Sequence, residues 1–114
     1  MSNDRMRRVD EAVRQVVSDA VAQDLKDPRV GFVTVTDVKT SPDLRHARVF
    51  VSVLGDRKVR EASIEGLESA HGFLQRRVSA ELRMKKTPEL HFVLDEITEN
   101  AFRLEKIIKR EVGE

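Results

Sequence analysis

The stretch RHARVFVSVL, Arg45 to Leu54, alternates strictly. Ala47, Val49, Val51 and Val53 fall on one side of an extended chain, and His46, Arg48, Phe50 and Ser52 on the other. A period of two in a run rich in β-branched residues marks a strand with one apolar face and, here, one mixed face. Such a strand needs a cover over its apolar side and neighbours for its backbone groups. GFVTVTDVKT, Gly31 to Thr40, is a second run of the same kind. Between them SPDL, Ser41 to Leu44, has turn chemistry: Pro42 presets its own φ, and Asp43 can bond nearby backbone. The pair reads as an antiparallel hairpin.

The rest of the chain supplies the cover. A first helix is expected from Asp4 to Gln23, with Met6, Val9, Val13, Val16, Val17, Ala20 and Val21 on one face and Ser2, Asn3 and Asp4 offering N-cap oxygens. KDPRVG ends it, because Pro28 disfavours helical geometry at Asp27. After Gly55-Asp56, a second helix over Arg57 to Ala70 has Val59, Ala62, Ser63, Gly66 and Leu67 on its packed side. A third helix ends near Lys86, and TPELHFVLD forms a third strand with Leu90, Phe92 and Leu94 on one face. A final helix, Ala101 to Val112, carries Leu104, Ile107 and Ile108. At 114 residues this is one domain, its core spanning about 4–96. The expected class is α+β: a three-stranded mixed sheet with helices packed on one face. The long helical connection permits parallel pairing of the second and third strands.

The third helix contains an anomaly. In ESAHGFLQRRVSAELRMKK, Glu68 to Lys86, the apolar spacing runs in phase through Leu67, Ala70, Leu74, Val78 and Leu82, yet Gly72 interrupts it. Glycine there costs about 1 kcal/mol relative to alanine. An unbroken phase across a permissive residue predicts two helices meeting at a kink, at Ala70-His71-Gly72. A kink leaves the opening amides of the second piece without their usual carbonyl partners, at the positive end of a dipole, where phosphate can sit. Gly72 lets backbone approach a sugar–phosphate closely. From Gly72 to Lys86, Arg76, Arg77, Arg83, Lys85 and Lys86 face a single acid, Glu81, giving a formal charge of +4. Arg76, Ser79 and Arg83 fall opposite Leu74, Val78 and Leu82. RNA binding on this face is the functional expectation. Arg5, Arg7 and Arg8 could add a second contact, and Arg45, His46 and Arg48 could extend the face along the hairpin.

Composition narrows the alternatives. The net charge is only +1, so a polyanionic partner must be argued from where charges lie. Without cysteine there are no disulfides, thiolate metal sites or cysteine catalysis. MSNDRMRR is not followed by an apolar segment, and no run approaches the 18 to 20 apolar residues roughly needed to span a bilayer. A cytoplasmic protein without a membrane partner is expected. There is no Trp or Tyr, and the five Phe each sit beside apolar residues and are expected in the core, which weighs against base-stacking platforms. His46, His71 and His91 are too scattered to suggest a metal, and no metal or other cofactor is expected. Asp95, Glu96 and Glu99 read as a helix cap rather than as catalytic acids. No Gly-rich phosphate loop, nucleophile elbow or HExxH is present, so neither catalytic residues nor a small-molecule substrate are expected.

DPRVGFVTVTDVKTSPDLRHARVFVSVLG, Asp27 to Gly55, and AHGFLQRRVSAELRMKKTPELHFVLDE, Ala70 to Glu96, fall in an order and separation that resemble the bacterial ribosome-binding factor A family. The resemblance covers nearly the whole chain, the segment after Asp95 being least diagnostic. It implies a KH-like domain of type II topology in which an Ala-x-Gly helix kink, here Ala70-His71-Gly72, replaces the usual Gly-x-x-Gly loop. It also implies a non-enzymatic, monomeric factor that binds free or immature 30S small ribosomal subunits and their 16S rRNA. Such a factor supports late rRNA processing and maturation, notably in the cold. By position, the binding surface it implies includes His71, Gly72, Arg76, Arg77, Arg83, Lys85 and Lys86. A second class is a small α+β module that binds only protein, through the sheet face or the acidic stretch near Asp95. Ribonuclease sensitivity of its sedimentation separates the two.

Overall fold

The computed structural model describes residues 2–83 and 86–95. The helix expected over 101–112 and the residues Lys85, Glu96 and Glu99 lie outside the described residues. The elements are α1 (Ser2–Gln23), β1 (Phe32–Thr40), β2 (His46–Leu54), α2 (Arg57–Ser69), α3 (His71–Leu82) and β3 (Glu89–Leu94). Helix α1 starts at Ser2, so the residues expected to cap it begin the helix itself.

The strands form one sheet in the order β1-β2-β3, with β2 antiparallel to β1 and parallel to β3. Ala47, Val49 and Val51 of the central strand are fully buried, as the alternation requires. On β1 the inward set switches parity. Val35 is buried, the register slips between Val35 and Asp37, and Val38 and Thr40 are then the buried residues. This bulge at Thr36 keeps both halves of the strand facing the helices. Its hydroxyl donates to Asp95 Oδ2 at 2.8 Å, so Asp95 fastens the end of β3 to β1; the helix it is expected to cap lies outside the described residues.

The hairpin turn behaves as its sequence suggests. Asp43 Oδ1 accepts from the Ser41 hydroxyl at 2.6 Å and from the Arg45 amide at 3.0 Å. Those bonds, the hydroxyl's first, hold the Asp43 carboxyl below the usual carboxylate range. Gly55, at φ +143, supplies the backbone that an L side chain rarely adopts, and Asp56 then caps α2 by accepting from the Val59 amide at 3.0 Å.

The core lies between the inward sheet face and the helices. Val13, Val17 and Ala20 of α1, Leu67 of α2, and Leu74 and Val78 of α3 are at most 1 % exposed. Gly66 sits where α2 crosses the 27–30 loop: a Cβ there would meet Val30 Cγ2 at 2.5 Å. Val59, expected on the packed side, is instead 38 % exposed.

Two further expectations are corrected. Helix α3 stops at Leu82, short of Lys86, because Arg83 takes the left-handed conformation (φ 49) and its amide closes the last turn on the Ser79 carbonyl. The chain must turn there to bring the buried Pro88 and then β3 to the sheet edge. Nor are the phenylalanines all core. Phe92 is buried, Phe50 and Phe73 are half-buried, and Phe32 is 81 % exposed. Phe32 pairs with Leu54 at the end of the hairpin, on the sheet face that carries no described helix. Among the described residues, no helix is long and apolar enough to cross a membrane.

Candidate nucleic-acid interface

The in-phase apolar stripe does span a helix break. Ala70 separates α2 from α3 at φ −87, ψ 5, its amide shared between the Gly66 and Leu67 carbonyls at 3.1 Å each. Its own carbonyl accepts the first α3 bond, from Leu74 at 3.0 Å. Alanine has no side-chain acceptor, so α3 opens without a side-chain cap. Leu67, Leu74 and Val78 stay on the core on both sides of the break, which explains the unbroken spacing.

Gly72 lies in the first turn of α3 and is exposed. A methyl group built on its Cα would meet only Arg76 Nη1, at 3.3 Å. The Arg76 guanidinium therefore reaches back over Gly72, as helical side chains lean toward the N-terminus. His71 is half-buried beside them. Bare Cα surface, uncapped helix start and a cation thus share one patch.

Arg77 has a different setting. Its Nη2 donates to Asp24 Oδ2 at 2.7 Å, its Nη1 is 3.8 Å from Glu81, and its guanidinium stands 5.3 Å from the Phe73 ring centroid. The Asp24 bond ties α3 to the end of α1, while Glu81 and Phe73, on α3 itself, hold the guanidinium in place. Among the described residues, neither Arg76 nor Arg83 has such an ionic partner, and both are exposed. Gln75 completes the mounting, donating to the Pro88 carbonyl at 2.6 Å and accepting from the Leu90 amide at 3.1 Å. Nothing in the spacing of the sequence signals that clamp, since it depends on where the 83–88 loop returns.

The remaining cations gather around the start of β3, which Gln75 holds against α3. Glu89 donates its amide to the Arg45 carbonyl at 2.8 Å, which puts the 41–45 turn beside the loop carrying Lys86. The Thr40 amide donates to Asp10 Oδ1 at 2.9 Å, which brings the first half of α1, with exposed Arg7 and Arg8, to the same end of the sheet. Arg7 there lines a groove of about 280 Å³ with Asp10, Glu11, Arg14, Asp37 and Lys39, so its charge is largely balanced. Arg48 points elsewhere: it stands on the outer sheet face, over the Phe50 ring at 5.7 Å. His46 and His91, far apart in sequence, are neighbours on that same face, with ring nitrogens 3.0 Å apart. Only the parallel β2–β3 register reveals this.

A family model described as ribosome-binding factor A matches residues 5–108. The chain belongs to the ribosome-binding factor A family. Among curated members, it is 42% identical over 110 residues to the ribosome-binding factor A of Halothermothrix orenii, covering 96% of this chain and 90% of the relative. It is 48% identical over 109 residues to that of an Anaeromyxobacter species, covering 95% and 79%. Family resemblance extends to three dimensions. A Thermotoga maritima protein described as a ribosome binding factor A, solved by NMR, superposes with a TM-score of 0.71 at 34% identity, over 78% of this chain and 85% of that one. A homology model of the Thermus thermophilus ribosome binding factor A, fitted into a cryo-EM map of its complex with the 30S subunit, gives 0.63 at 25% identity, over 74% and 88%. The family is non-catalytic, in keeping with the absence of a catalytic motif from the sequence.

Proposed function

We propose that this protein is an rRNA-binding maturation factor of the 30S ribosomal subunit. In this reading, the first turn of α3 is a principal contact. The observation that carries the function is family membership across residues 5–108, together with the fitted 30S complex of a Thermus relative. The residues are assigned on physical grounds. Gly72 presents backbone without a side chain, and Arg76 lies over it with no competing carboxylate among the described residues. A phosphate there would meet helix-start amides and a guanidinium together. Arg83 and Lys86 continue the contact along the RNA backbone, and Arg45, Arg7 and Arg8 are its outer margin; Lys85, outside the described residues, is assigned from the sequence alone. Arg77 acts chiefly by holding α3 in place.

The factor grips RNA by phosphate position rather than by base identity. The exposed Phe32 stands at the sheet end, not on α3. Binding shifts an rRNA equilibrium only through a difference in affinity between two arrangements, so release needs no chemistry in this protein. With about four phosphates neutralised, log K falls with log salt at a slope of roughly −3 on the single-strand coefficient.

Sucrose-gradient sedimentation of lysate tests the reading. The factor should travel with free small subunits, leave them as salt rises, and be absent from translating ribosomes. Sedimentation that ignores both ribonuclease and salt would instead mark a module that binds only protein.

A further inference from the structure

The outer sheet face holds a side-chain cluster that the RNA reading does not use. His46 on β2 and Glu89 on β3 are register partners, and His91 lies on the same face of β3, opposite Arg48. His46 Nδ1 is 3.0 Å from His91 Nε2 and 3.9 Å from a Glu89 carboxylate oxygen. One donor atom from each of the three lies within 4.8 Å of the others. We propose that His46, Glu89 and His91 form a binding site for a divalent transition-metal ion of the zinc class, with a fourth position open to water.

The donor set selects the ion. Two imidazole nitrogens and one carboxylate oxygen suit zinc and its neighbours, whereas calcium and magnesium favour oxygen donors alone. Geometry is close to what such an ion needs. Donors about 2.1 Å from a tetrahedral centre lie roughly 3.4 Å from one another, and the separations here, from 3.0 Å to at most 4.8 Å, bracket that value. The mount is rigid while the tips are free. Strand pairing and the Glu89–Arg45 backbone bond at 2.8 Å fix the main chain, while the His46 and Glu89 side chains are 55% and 56% exposed. Modest side-chain rotations are enough to close the triangle. Arg48, the nearest cation in register, leans along β2 toward Phe50 and away from His46. The inference does not rest on RNA binding.

Titration calorimetry of the full chain with zinc chloride, in a buffer free of phosphate, reads the site directly. Cobalt(II) absorbance, in parallel, reports coordination geometry. The expected result is one saturable equivalent of zinc and visible cobalt bands of a four-coordinate site. His46→Ala and His91→Ala should each abolish both signals, and His71→Ala, on α3, should leave the stoichiometry unchanged. Circular dichroism should show all three variants folded, since the replaced side chains are not core. Absence of saturable uptake by the wild-type chain would overturn the proposal. So would one equivalent of zinc retained by folded His46→Ala or His91→Ala.

Discussion

Gly66 and Gly72 lack side chains for opposite reasons, and substitution separates them. A Cβ at Gly66 would press to 2.5 Å from Val30 Cγ2, where the β-branched neighbour has little freedom to move. Gly66→Ala should cost about 1 to 3 kcal/mol by overpacking. A Cβ at Gly72 meets only the end of the flexible Arg76 side chain. Gly72→Ala should therefore leave stability unchanged or raise it by up to about 1 kcal/mol, while weakening subunit binding. Chemical denaturation of the two variants checks the contrast, and loss of stability in Gly72→Ala would contradict it. Arg83 raises the same question in another form. It occupies a left-handed C-cap, at φ 49, where glycine is the favoured residue. Arg83→Gly should relieve about 1 kcal/mol of backbone strain and yet lower affinity for the subunit. A stability gain with unchanged binding would show that its charge does not contribute.

Among the elements, α3 matters most, and its attachment came only partly from the pattern of residues. The buried stripe and the break at Ala70 were readable, because Leu74 and Val78 must reach the same core as Leu67 whatever happens at Gly72. The end of the helix was not. Arg83 carries no local stop signal, and the turn there serves the return of β3, a long-range demand. Gln75 was invisible for the same reason: its partners are backbone groups at Pro88 and Leu90, placed by that return. The strands were legible from alternation, but the parity switch at Thr36 was not, since a bulge has no periodicity of its own. Phe32 misled because an apolar neighbourhood in sequence does not tell which sheet face a residue takes. The Gln75 clamp gives a testable consequence. Gln75→Ala leaves the Leu90 amide without its acceptor and should destabilise the domain by about 1 to 3 kcal/mol, seen as a lower denaturation midpoint. An unchanged midpoint would mean that the clamp is not needed to dock β3.

At the scale of the whole molecule, a near-neutral total hides a division of charge. Carboxylates serve the fold. Glu11 bonds Arg14, Asp27 bonds Arg29 in the loop under α2, and Asp43 bonds Ser41 and the Arg45 amide in the hairpin turn. Each is held below its usual value, by the Arg14 side chain, the Arg29 side chain and the Ser41 hydroxyl respectively. Depressed folded-state values stabilise above the unfolded ones, and that stabilisation is lost as pH falls through the folded values. The melting temperature should accordingly drop on acidification below the usual values of 4.5 for Glu11 and 3.8 for the two Asp. A melting temperature that rose in that range would contradict the assignment. The exposed cations of α3, by contrast, have no such partners among the described residues and are available to an outside polyanion. The central claim is that this face seats rRNA. Its most direct test is co-sedimentation of the Arg76→Glu/Arg83→Glu double variant with purified free 30S subunits at low salt. A folded control, Arg57→Glu/Lys58→Glu on α2, carries the same change of charge. The account predicts that the wild type and the control pellet with the subunits while the α3 variant stays in the supernatant. A folded α3 variant that pelleted as fully as the wild type would contradict it.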